Sequence, residues 1–171
     1  AIGDIIGGPQ FTHIGGYHAS LVIRNALFRA PAKVDYSALP WVTYTDPELA
    51  QVGMTAADAH AAGLDVELAT FPLADVDRAI VEGAQTGELR LILHRGRIVG
   101  ASLLAPHAGE LIHELALAIA ERVPLRRIAG LVHAYPTLAQ ISKRAAGAYY
   151  APQLFSARTR TLVRWINRIL P

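Results

Sequence analysis

With 171 residues, 52% of them hydrophobic and 18% charged, the chain has enough apolar mass for one substantial core. The apolar excess suits a surface that another chain or domain covers. The absence of cysteine excludes a redox disulfide, a thiolate metal site and a cysteine nucleophile within the chain, and no metal site is expected. A formal net charge of +2 is too small to argue for nucleic acid, and no apolar run reaches the length of a membrane span.

Ala1 to Asp4 reads as the end of a buried strand, and Gly7-Gly8-Pro9 as a loop. An amphipathic helix is predicted from Thr12 to Phe28, with Thr12 as N-cap and Tyr17, Leu21 and Phe28 at helical spacing. Ala32 to Pro40 reads as a linker into a second unit. Trp41 to Thr45 is a β-rich run stopped by Asp46-Pro47. Residues Asp46 to Thr55 are then expected to form a turn leading to a helix that Thr55 caps and Gly63 ends. Val66 to Phe71 reads as a strand, and Leu89–His94 with Arg97–Leu104 as a hairpin around Arg95-Gly96. Ala108 to Arg122 carries Leu111, Leu115, Ala118 and Ile119 on one helical stripe. Pro124 opens a short helix, Thr137 to Tyr150 a longer one and Thr159 to Leu170 a last one.

Strands paired by hairpins, with helices gathered on one face, describe an α+β sandwich with a mostly antiparallel sheet, preceded by a strand end and a helix. The expected divisions are 1–36, 37–155 and 156–171. In the last of these Leu162, Val163, Ile166, Ile169 and Leu170 share one side while Arg160, Arg164 and Arg168 recur every four residues. Such a helix suits an acidic membrane surface, with docking on this chain or its dimer mate as the alternative.

Three motifs carry chemistry. His133-Ala134-Tyr135-Pro136-Thr137-Leu138-Ala139-Gln140 holds a tyrosine beside a proline that suits a helix start. It resembles the His-x-His-Pro-Thr-Leu-x-Glu signature of the pyridine nucleotide-disulfide oxidoreductases. That resemblance implies an acid/base position, reaching across a dimer interface, at Tyr135, with Gln140 where an orienting glutamate would stand. Tyrosine is a hydrogen-bond donor and a poor base at neutral pH, so thiol protonation of the lipoamide or glutathione kind is disfavoured. His133 is the substitute base to consider, since an extended segment would point it the same way as Tyr135. Tyrosine here is similar to mercuric reductases and soluble transhydrogenases of the family, but the chain ends without the cysteines of a mercury relay. The expected acceptor is a quinone, another nicotinamide or a small oxidant.

Ala1-Ile2-Gly3-Asp4, followed by Phe11-Thr12-His13 and Arg24 to Phe28, resembles the family's second flavin-binding stretch. This implies Asp4 as a ligand of the ribityl chain of FAD and Gly3 as a point of close backbone approach. Thr12, His13 and Ile14 become backbone contacts at a helix start whose dipole favours reduced flavin. Val42 to Glu48 with Gln51-Val52-Gly53, and Gly109-Glu110-Leu111-Ile112, resemble the opening and the helix of the family's interface domain. No Gly-x-Gly-x-x-Gly is present to cradle a pyrophosphate. The resemblance therefore implies the C-terminal part of a cytoplasmic, homodimeric FAD- and NAD(P)H-dependent oxidoreductase. Its FAD and nicotinamide domains are expected upstream, and the isolated piece is expected to be inactive. The rival readings are a stand-alone association scaffold and a membrane-surface adaptor.

Overall fold

The computed structural model describes residues 1–169. Five strands, β1 (Pro40–Thr43), β2 (Glu48–Gly53), β3 (Glu67–Pro72), β4 (Glu88–His94) and β5 (Arg97–Ala105), form one antiparallel sheet in the order β1-β2-β5-β4-β3. Period-two alternation decides which face becomes the core. Phe71 pairs with Leu89, Leu89 with Leu103, Leu103 with Ala50 and Ala50 with Val42, so one row of apolar side chains crosses all five strands. The neighbouring row, Thr70, Arg90, Ser102, Gln51 and Trp41, faces the other way. Arg95 and Gly96, both with positive φ, close the β4–β5 turn as a tight hairpin requires.

The helices are α1 (Thr12–Ala26), α2 (Ala56–Ala61), α3 (Asp77–Glu82), α4 (Ala108–Leu111), α5 (His113–Ala120), α6 (Leu125–Gly130), α7 (Gln140–Leu154) and α8 (Ala157–Ile169). Helix α5 lies against β5 and β2, α4 against β1, β2 and β5, and α7 against β3 and β4. Their apolar stripes, Leu115 and Ile119 on α5 and Ile141, Ala145 and Ala146 on α7, join the strand residues in one core. The expected α+β class is therefore the observed one.

Local differences each have a cause. Residues 1–4 form no strand end; Gly3–Ile6 is a 3-10 turn, and the Gly3 amide goes to the His18 side chain instead of a neighbouring strand. Thr12 is the first helical residue and not the cap, for Phe11 occupies that position without a side-chain hydrogen bond. On α1 the buried stripe is Ile14, His18 and Leu21, while Phe28 lies beyond the helix and is exposed. Strand β2 was hidden in sequence behind the Asp46-Pro47 turn signal, which joins two strands. Thr55 does cap α2, in a reciprocal capping box with Asp58. Pro136 does not open a helix: Leu138 and Ala139 form a turn, and α7 begins at Gln140 and runs on through Pro152. The last helix starts two residues earlier than expected, and its predicted end at Leu170 lies outside the described residues.

Candidate functional site

Two groups of candidate residues occupy different parts of the chain. The first surrounds the start of α1. Gly3 lies so close to α1 that a Cβ added to it would sit 3.7 Å from the Gly15 Cα, which brings Asp4 beside the first turn of the helix. The Gly3 N–H donates to His18 Nδ1 at 3.1 Å. That nitrogen must be the acceptor, so Nε2 carries the proton and donates to the Tyr36 hydroxyl at 2.6 Å. A buried histidine is thereby satisfied at both nitrogens, and it ties residue 3, α1 and the linker together. The linker is further fastened where Tyr17 Oη accepts from the Asp35 N–H at 3.0 Å and where Asn25 clasps the backbone of Ala32. Asp35 itself accepts from the Ser37 amide, which holds its carboxyl below the usual range.

Four of the predicted cofactor residues now have distinct positions. The Asp4 carboxylate is exposed and makes no hydrogen bond among the described residues. The Thr12 and His13 amides open the helix with no acceptor among the described residues, as first-turn amides do. The Ile14 amide is already taken by the Phe11 carbonyl at 2.9 Å, and its side chain is buried. His13 stacks on Phe11 at 5.3 Å, and its Nε2 donates to the Pro40 carbonyl at 3.0 Å. This contact brings the helix start to the edge of β1, where a cleft of about 490 Å³ lies between Phe11–His13, Trp41 and the Glu110–His113 stretch. The floor of that cleft is fixed because Glu48 Oε2 on β2 accepts from the Gly109 N–H at 2.9 Å.

The second group is the segment between α6 and α7. His133 Nε2 donates to the Glu114 carboxylate of α5, with both oxygens 3.2 Å away. The His133 side chain is only 7% exposed, and its Nδ1 is buried without a partner among the described residues. Thr137 Oγ1 donates to the Ala134 carbonyl at 2.8 Å, and the Thr137 N–H donates to Gln140 Oε1 at 3.4 Å. Gln140 therefore fastens the turn before α7 and makes no hydrogen bond to Tyr135. Between these fixed points Tyr135 stands 69% exposed, in line with exposed Leu131 and Val132. His133 turns inward while Tyr135 turns outward, so the expected neighbourhood of the two rings is not formed. Among the described residues no hydrogen bond joins the Tyr135 segment to the Asp4 and α1 group.

No motif singles out His18, Tyr36 or Glu114. His18 sits on the same stripe as Ile14 and Leu21, and a histidine on an apolar stripe is a clue to a buried polar contact. Glu114 follows Glu110 by four residues, and that spacing carries no sign of its contact with His133.

The sheet and the helices that cover it correspond to a known domain. The family model described as the pyridine nucleotide-disulphide oxidoreductase dimerisation domain matches residues 39–146. The chain belongs to this family. As a dimerisation domain of that kind it is 39% identical over 148 residues to a dihydrolipoyl dehydrogenase of Bacillus subtilis, covering 85% of this chain and 31% of that protein. A mercuric reductase of Streptomyces lividans is 36% identical over 151 residues, covering 87% of this chain and 32% of that protein. The chain thus spans about a third of the length of the curated relatives it matches. Among solved structures, the HOCl-induced flavoprotein disulfide reductase RclA of Escherichia coli, in its Cu(II) complex, superposes with a TM-score of 0.80 at 27% identity. That match covers 86% of this chain and 34% of that one. LpdA of Mycobacterium tuberculosis has the same fold, with a TM-score of 0.81 at 24% identity over 87% of this chain and 33% of that one.

Proposed function

We propose that this chain is the interface part of a homodimeric, flavin-dependent NAD(P)H oxidoreductase. In this reading residues 1–36 complete one half of a FAD site, residues 37–155 are the dimer-forming domain, and Tyr135 faces the acceptor side of a flavin held by the partner subunit.

The observation that carries the reading is the Tyr135 segment. An aromatic hydroxyl is displayed to solvent on a loop anchored on one side by His133–Glu114 and on the other by Thr137–Gln140. Exposed Leu131 and Val132 beside it are the kind of surface that a second chain covers. A group so placed acts on something outside its own chain.

The residues at α1 fit the flavin half-site. The segment of Asp4 packs against α1, the Asp4 carboxylate and two helix-start amides have no partner among the described residues, and the helix dipole there favours negative charge. Asp4 would hold a polyol chain through its oxygens, while the Thr12 and His13 amides would face an anionic ring. Ile14 keeps the helix seated through its buried side chain, and Gly3 serves the His18 contact. The flavin, when bound, supplies the electron transfer; the chain's own residues hold and orient it.

With tyrosine at the position the resemblance gives to the acid/base, the acceptor proposed is one that needs no thiol protonation, such as a quinone, a second nicotinamide or a small oxidant. The test is Tyr135→Phe in the full-length enzyme, read by stopped flow. Flavin reduction by NAD(P)H should be unchanged, while reoxidation by the acceptor slows several-fold. Loss of one hydrogen bond costs about 0.5–1.5 kcal/mol, whereas loss of a true acid/base would slow the step by about 10²–10⁴. Unchanged rates in both half-reactions would reduce Tyr135 to a packing residue.

A further inference from the structure

The family match stops at residue 146, and α8 lies wholly beyond it. On this helix Leu162, Ile166 and Ile169 form a stripe flanked by Val163 and Trp165, and all five side chains are exposed. Arg160, Arg164 and Arg168 occupy the opposite side, while Arg158 in the first turn shares a surface with Leu162 and Trp165. None of its residues is buried, and its side-chain hydrogen bonds reach back no further than Gln153. Four of the chain's 16 basic residues lie on α8 and none of its 14 acidic ones, so the rest of the chain carries a small acidic excess.

We propose that α8 is a peripheral membrane anchor that lies in the plane of an anionic lipid surface, its apolar face in the headgroup boundary and its arginines among the phosphates. The 13 described residues of α8 run about 20 Å, short of the roughly 30 Å hydrocarbon core of a bilayer. No described helix is long and apolar enough to cross one. Low overall hydrophobicity with a sharply divided face, arginine on the polar side and tryptophan at the edge of the apolar side, is the pattern of interfacial helices. Charge favours this occupant, because the rest of the chain offers the arginines only a small acidic excess. A second copy of α8 would bring only more arginine, whereas an anionic surface offers negative charge to the whole polar face and a hydrocarbon boundary to the other. Exposed Leu154 and Phe155, just before the helix, extend the apolar side toward α7.

The experiment is sedimentation of the purified chain with vesicles of phosphatidylcholine alone and of phosphatidylcholine with a minority of phosphatidylglycerol. Trp165 emission is followed in a Trp41→Phe background, which leaves one tryptophan. The chain should pellet with the phosphatidylglycerol vesicles at least about tenfold more strongly than with phosphatidylcholine. Its emission should move to the blue, and raised salt should weaken binding. Leu162→Glu with Ile166→Glu should abolish pelleting, and each of Arg160→Gln, Arg164→Gln and Arg168→Gln should weaken it by roughly fivefold. Because α8 buries nothing, these variants should keep the circular dichroism and urea midpoint of the parent chain. Failure to pellet with either vesicle would overturn the proposal, as would pelleting that survives the double glutamate variant. Blue emission without lipid would also overturn it. If that emission were lost together with a dimer in the double variant, α8 would dock on a second copy; if lost with no change of mass, on its own domain.

Discussion

Glu114 and His133 come from different elements, and only the tertiary fold sets their 3.2 Å contact. His133 is nearly buried, and its Nδ1 already lacks a partner among the described residues. Removing the carboxylate would leave a second ring nitrogen unsatisfied, which costs about 1–3 kcal/mol for a buried polar group. Glu114→Ala should therefore lower the urea unfolding midpoint by that equivalent. Hydrogen exchange at residues 132–137 should rise with it, because the same contact anchors one side of the Tyr135 loop. Unaltered exchange in that loop would mean that Thr137 and Gln140 hold it without help.

At the scale of elements, α7 is joined to the sheet edge where Tyr149 Oη donates to both oxygens of Glu67, each 3.0 Å away. Burial first, and then this hydrogen bond, raises the Tyr149 hydroxyl above its ordinary value of 10.0. The folded chain thus keeps this proton to higher pH than the unfolded chain does. The stability from this contact is complete below the unfolded value and is lost as pH rises through the folded one. Tyr149→Phe should cost about 0.5–1.5 kcal/mol at neutral pH. It should also flatten the alkaline fall in the urea midpoint above about pH 10.

A second element-scale test concerns the crossing of β5 with the chain after β2. A Cβ at Gly100 would fall 1.8 Å from the Met54 carbonyl oxygen, and a backbone atom cannot swing aside. Gly100→Ala should cost about 1–3 kcal/mol or more in urea unfolding. Gly147→Ala on α7, where a Cβ meets nothing within 4 Å, should be neutral or stabilise by about 0.4–1 kcal/mol.

Signals that are local in the chain were legible before the structure. The Arg95-Gly96 turn marks its hairpin by the φ it demands, Thr55 marks the α2 start, and the Leu115–Ile119 stripe marks α5. What was illegible is tertiary. Strand β2 does not alternate, since Ala50, Gln51 and Val52 are all buried, and it is set by pairing with β1 and β5; α3 has no capping side chain and owes its place to burial of Ala79. In the candidate site, Tyr135 was marked by its motif. The inward turn of His133 and the pairing of Gln140 with the Thr137 amide depend on elements that no spacing reveals. At α1 the motif treats three amides alike, although the Phe11 carbonyl claims that of Ile14.

For the whole molecule, a dimerisation domain must present a surface that recognises its own copy across a two-fold axis. The exposed apolar groups of this chain, among them Leu117, Leu131, Val132 and Tyr135, supply material for such a surface. A stable interface takes on the order of 800 Å² from each partner. The proposed role requires that a dimer bring Tyr135 of one chain to the other, and a dimer would place two α8 helices on one particle. The most direct test of the central claim is sedimentation velocity of the chain at micromolar concentration and low micromolar dilutions. The expected result is one species of twice 18.4 kDa, dissociating only on strong dilution. A folded monomer of 18.4 kDa throughout that range would contradict the account.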